Sequence, residues 1–124
     1  MSFFGNIFGS ANSESAPNAM WKPLTSEQEL ADAVNQSFNK KVVIFKHSTM
    51  CFVSKTVLRN FEREIEESSP DAVFYYLDLL KYRSISNKIE DDFGVTHQSP
   101  QLIVLQNGRA LNHASHNSIS IDMI

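Results

Sequence analysis

Cysteine is nearly missing from this chain: Cys51 stands alone among 124 residues. A single thiol has no partner in its own chain, so an internal disulfide framework is excluded and any disulfide must join a second molecule. Long apolar runs are missing too. The longest span only a few residues, against the ~20 that a bilayer-crossing helix needs, so no membrane association is expected. Basic charge is not in excess either. Eleven Lys and Arg against fourteen Asp and Glu leave a net charge of -3, which offers no field for nucleic acid. What remains is an ordinary globular balance, 42% apolar and 20% charged. At 14.0 kDa it suits one domain with one core.

The first residues, MSFFGNIF, carry no positive charge ahead of their apolar part and do not read as a signal peptide, so a cytoplasmic setting is expected. Gly9 to Asn18 is mostly Ser, Asn and Ala, a composition that buries too little apolar area to order itself. Residues 1–19 are therefore expected to be a disordered tail and residues 20–124 the folded domain.

Caps and periods give the elements. Thr25-Ser26-Glu27-Gln28 reads as a capping box, opening a helix with Leu30, Val34 and Phe38 on one face. Val42 to Phe45 is a strand covered on both faces. From Cys51, the spacing of Leu58, Phe61 and Ile65 predicts a helix ending near Ser68, ahead of Pro70. Val73 to Asp78 is a second strand, and Ser84 to Phe93 a short helix stopped by Gly94. Leu102 to Leu105, Asn107-Gly108 and Arg109 to Ala114 read as a hairpin. Ile119, Ile121 and Ile124 form a last piece that covers the sheet. The crossover between the first two strands makes them parallel, and the hairpin adds an antiparallel pair. The pattern predicts a thioredoxin-like three-layer α/β/α fold with a four-stranded mixed sheet.

The chemistry gathers where the first strand meets the second helix. A cysteine in a helix's first turn meets unpaired backbone N–H groups and about half a positive charge from the macrodipole. Both favour the thiolate, the nucleophilic form. Lys55, four residues on along the same face, and His47, just before the turn, are read as cationic neighbours acting the same way. The other reading of a lone Cys is a small buried hydrophobe. Two features favour the reactive one. In Cys51-Phe52-Val53-Ser54 a serine stands where a C-x-x-C motif has its resolving thiol, so a mixed disulfide on Cys51 must be cleared from outside. Ser99-Pro100 precedes a strand, and only X–Pro bonds adopt cis at low cost. In thioredoxin-like folds a cis-proline at this point of the chain faces the active cysteine.

With FKHST before Cys51, YLDLL-x-YR at Tyr76 to Arg83, HQSPQ at His97 to Gln101 and ASH at Ala114 to His116, the sequence resembles the bacilliredoxin-like proteins of the bacillithiol system. These are monothiol, glutaredoxin-like members of the thioredoxin superfamily. The resemblance covers Trp21 to about Ile119. It implies that Cys51 is the attacking thiol, with His47, Thr49, Ser54 and Lys55 in support. It makes Pro100 the cis-proline, and Ser99 the residue whose backbone pairs with the bound thiol. Similarity to glutaredoxins places Ser115 and His116 against the far end of a low-molecular-weight thiol. The sequence departs from the pattern at Phe52, where a small residue or Pro is usual, and at Met50, where Arg is common.

The implied function is a monothiol thiol-disulfide oxidoreductase that removes a low-molecular-weight thiol, bacillithiol, from S-thiolated proteins. It would work as a monomer, with that thiol as co-substrate and no cofactor. Two other readings stand beside it. Monothiol glutaredoxin relatives can hold an iron–sulfur cluster between two subunits, and a thioredoxin-fold scaffold could carry an incidental cysteine. His47, His97, His113 and His116 lack the tight ligand spacing of a zinc motif, so no metal site is expected. His47 or His97 is chemically suited to be a general acid, and an ordinary strand-end role suits each as well.

Overall fold

The structure, a computed structural model, describes residues 20–124. The expected tail over residues 1–19 lies outside the described residues. The elements are β1 (Trp21–Pro23), α1 (Glu27–Gln36), β2 (Lys41–His47), α2 (Phe52–Ser68), β3 (Ala72–Asp78), α3 (Arg83–Phe93), β4 (Gln101–Gln106) and β5 (Arg109–Ser115), followed by two 3-10 turns, His116–Ser118 and Ile121–Met123. They build one mixed sheet in the order β1-β3-β2-β4-β5. β2 runs parallel to β3 and antiparallel to β4, and β5 returns antiparallel beside β4.

The layers follow from the sequence's alternation. Val42 and Ile44 of β2 face one side of the sheet, where they pack with Leu30 and Ala33 of α1 and Ile85 and Ile89 of α3. Val43 and Phe45 face the other side and meet Val57, Phe61 and Ile65 of α2. With both faces covered, Val42 to Phe45 are wholly buried, as their unbroken apolar run requires. The thioredoxin-like three-layer arrangement is therefore the one the pattern predicts.

The sheet has five strands rather than four. The added strand, β1, pairs parallel with β3 through Trp21, Lys22 and Pro23. Three residues give no alternation to read, and a strand ending in proline is tolerated because it lies at an edge. The capping box also sits one residue later than expected. Ser26 is the N-cap and its Oγ accepts the Glu29 N–H at 3.1 Å. The Glu29 carboxylate reaches back to the Thr25 N–H at 2.6 Å and its hydroxyl at 2.7 Å. Gln28 instead donates to Asp32 at 3.1 Å. A carboxylate in the first turn answers the helix dipole as an amide cannot. Phe38 lies beyond the end of α1 and is exposed.

After β5 the last apolar piece takes the form of two 3-10 turns rather than a regular helix. Asn117, Ser118, Ser120 and Asp122 compete with the backbone for hydrogen bonds and shorten the helix to single turns. Their apolar residues still do the predicted work: Ile119 is buried on the α2 side, with Ile121 and Ile124 packed against that cluster.

Candidate active site

The last residue of β2, His47, leads into a turn in which the Cys51 N–H donates to the Ser48 carbonyl at 3.1 Å. Cys51 is the N-cap of α2 in an extended conformation (φ -108°), and its own carbonyl accepts the Lys55 N–H at 3.1 Å. Its side chain makes no capping hydrogen bond. Cys51 is half-buried at the helix start, where the first-turn N–H groups have no partner within the helix. Thr49 is half-buried in the turn, and Lys55 is exposed on the first turn of the helix. Met50 and Phe52, on either side of the thiol, are 83% and 81% exposed. These bulky neighbours stand out into solvent.

Ser54 is wholly buried. Its Oγ accepts the Ser48 N–H at 3.1 Å and lies 2.7 Å from His47 Nδ1. The assignment that uses every group has the hydroxyl donating to Nδ1, with the imidazole proton on Nε2. His47 is not the cationic neighbour expected of it. Burial pushes its pKa down to about 4, with Asp78 opposing and Lys55 adding to the effect. Near pH 7 the ring is neutral, packed 5.5 Å from the Tyr76 ring. Its place is beneath the thiol-bearing turn, where it anchors Ser54.

The Ser99–Pro100 peptide is cis, and Pro100 is buried. Lys46 pairs with Gln101 across β2 and β4, which carries Pro100 alongside His47 at the sheet end where α2 begins. Gln101 also pairs with Ser115 of β5. The His116 N–H donates to the Pro100 carbonyl at 3.0 Å. The Cys51 turn, the Ser99–Pro100 segment and Ser115–His116 therefore occupy one end of three adjacent strands. His116 is exposed and left-handed (φ 53°), a conformation rare outside glycine, though His is among the residues enriched in it. A groove of about 200 Å³ runs from it along α2 past Asn60 and Glu64. Among the described residues no three His, Cys, Asp or Glu side chains are grouped to hold a metal ion.

One site residue escapes the sequence patterns. Lys46 is 0% exposed, on the opposite face of β2 from His47. Its Nζ lies 3.3 Å from His97 Nδ1 and 3.4 Å from the Ser86 carbonyl. Burial pushes its pKa down to about 8, with Glu90 opposing. Burial also lowers that of His97, helped by Lys46 and Arg83 and opposed by Glu90. In the sequence Lys46 merely ends an apolar run, and no local signal shows that it turns inward.

Fold and site together define a thioredoxin-fold protein of the oxidoreductase type with one thiol. The structure resembles a proposed oxidoreductase with a thioredoxin fold, at 27% identity over 84% of this chain and 89% of that one (TM-score 0.73). It also resembles thioredoxin from Malassezia sympodialis, at 19% identity over 82% and 83% of the two chains (TM-score 0.64). Mitochondrial thioredoxin 3 from Saccharomyces cerevisiae matches at 21% identity over 77% and 83% (TM-score 0.64). Residues 22–124 match the monothiol bacilliredoxin BrxC family, and the chain belongs to that family.

Proposed function

We propose that the protein removes bacillithiol from S-thiolated proteins through Cys51. The Cys51 thiolate attacks the small-thiol sulfur of a protein–S–S–R disulfide. The protein sulfur leaves as a thiolate that takes up a proton, and R remains on Cys51 as a mixed disulfide. A second small thiol, as its thiolate, then attacks that R sulfur. It leaves as the R–S–S–R disulfide and restores the Cys51 thiolate. Both steps exchange one disulfide for another, so no separate oxidant or reductant is consumed. In this reading Ser99 and Pro100 hold the backbone of the small thiol, Ser115 and His116 meet its far end, and Thr49 shapes the turn. The protein works as a monomer in the cytoplasm, where thiol pools keep cysteines reduced.

One observation carries the reading: the only thiol sits at the start of α2, while the resolving position is a buried serine committed to His47 and Ser48. Quenched mass spectrometry tests it. The S-thiolated wild type should persist until bacillithiol is added and then decay in first order in that thiol. Ser54→Cys should shed the adduct unaided and gain an internal disulfide. Wild type that clears its adduct without added thiol would overturn the monothiol cycle. A brown chromophore in freshly purified protein would favour the iron–sulfur reading instead.

A further inference from the structure

Behind the thiol, on the α1 and α3 side of the sheet, lies a polar cluster that neither the core packing nor the exchange chemistry accounts for. Lys46 enters it from β2 as a wholly buried side chain, and among the described residues it forms no salt bridge. A buried ammonium is costly unless it is hydrogen-bonded, and the charge of Glu90 favours it without forming an ion pair. An ammonium can only donate. Its two contacts therefore have a fixed direction: the Ser86 carbonyl and His97 Nδ1 both accept. The Ser86 hydroxyl lies 3.1 Å from the same Nδ1. With Nδ1 accepting, that nitrogen carries no proton, and the neutral His97 ring keeps its proton on Nε2. His97 is half-buried.

The surrounding segment is fastened as well. Glu90 accepts the backbone N–H of His97 at 3.3 Å. Gln101, the register partner of Lys46, donates to the Thr96 carbonyl at 2.9 Å. One residue, Gln98, separates His97 from Ser99, whose Oγ is buried and has no hydrogen-bond partner among the described residues.

We propose that Lys46 is a positioning residue for the thiol exchange: by occupying His97 Nδ1 it fixes that ring as an Nε2–H donor on the segment that carries Ser99 and Pro100, where it meets an oxygen acceptor of the small thiol. This rests on the monothiol reading, and Lys46 touches no reacting atom.

Two measurements test it. In wild-type protein labelled with ¹⁵N in its histidines, long-range proton–nitrogen correlation at neutral pH should show His97 in the Nε2–H form. Lys46→Met should convert it to a tautomer mixture. With a peptide disulfide of bacillithiol as probe, Lys46→Met should lower kcat/KM about tenfold, chiefly through KM, the size of one hydrogen bond. His97→Ala should show the same loss, and the double variant no more than either alone. Alkylation of Cys51 by iodoacetamide should be unchanged in all three. A wild-type Nδ1–H tautomer overturns the proposal. So do losses that multiply in the double variant, an unchanged kcat/KM in either single variant, or a parallel fall in alkylation. The wild-type tautomer and the His97→Ala kinetics decide the matter even if Lys46→Met does not fold. A wild type inert on the probe would instead overturn the monothiol reading.

Discussion

Ser54 ties three parts of the molecule together through one oxygen: the end of β2, the turn that carries Cys51 and the first turn of α2. Ser54→Ala would leave His47 Nδ1 and the Ser48 N–H unpaired in a buried place. It should lower stability by about 1–3 kcal/mol in urea unfolding, the cost of an orphaned buried polar group. His47 predicts a pH dependence. Its folded pKa of about 4 lies below the ordinary value of 6.5, so between those values the unfolded chain binds more protons. Its contribution is full above about pH 6.5 and is lost as pH falls towards 4, bounded by about 3 kcal/mol. The acid limb of stability against pH should be flatter in His47→Asn than in wild type. At this scale the sequence showed the thiol and its serine but mistook the histidine's charge. Strand-end placement gave no sign that Phe45, Tyr76 and α2 would close around the ring.

The elements were legible wherever a long period or a strong punctuation mark was present. α2 runs from Phe52 to Ser68 as its apolar spacing and Pro70 require, and α3 stops at left-handed Gly94. Short pieces were not legible. β1 has three residues, and the final turns are too brief to show a period. The cap of α1 falls one residue later than Thr25 and Gln28 suggest, because the Glu29 carboxylate holds the Thr25 N–H and hydroxyl while Ser26 caps the Glu29 N–H. Ser26→Ala should therefore cost about 1 kcal/mol in thermal unfolding, whereas Gln28→Ala should be near neutral. The hairpin predicts a second effect. Asn107 and Gly108 both have positive φ, and a Cβ on Gly108 would sit 2.8 Å from Phe38 Cζ. The exposed Phe38 ring can move aside, but the backbone strain stays. Gly108→Ala should lower stability by roughly 1–2 kcal/mol.

For the whole molecule, sequence order and right-handed crossovers were enough to place the parallel pair and the hairpin, hence the three layers. They also brought the Cys51 turn, the Ser99–Pro100 segment and Ser115–His116 to one sheet end. The buried cluster around Lys46 was not legible, because it depends on which way one strand residue turns within a finished core. Trp21, the only tryptophan, is buried among Phe45, Phe61 and Phe74, and its Nε1 donates to Glu62 of α2 at 2.7 Å. It joins edge strand, central strands and helix. Its fluorescence should change together with far-ultraviolet circular dichroism in one unfolding transition; separate midpoints would show that β1 comes loose first. The solitary sulfur has an effect on the scale of the whole chain. A molecule with two cysteines can lose two electrons and close on itself at almost unchanged weight, leaving no trace of what oxidised it. This one can hide nothing in that way. Any disulfide it forms adds a passenger, so the intact mass of the protein drawn from its cell would name the thiol that the cell uses.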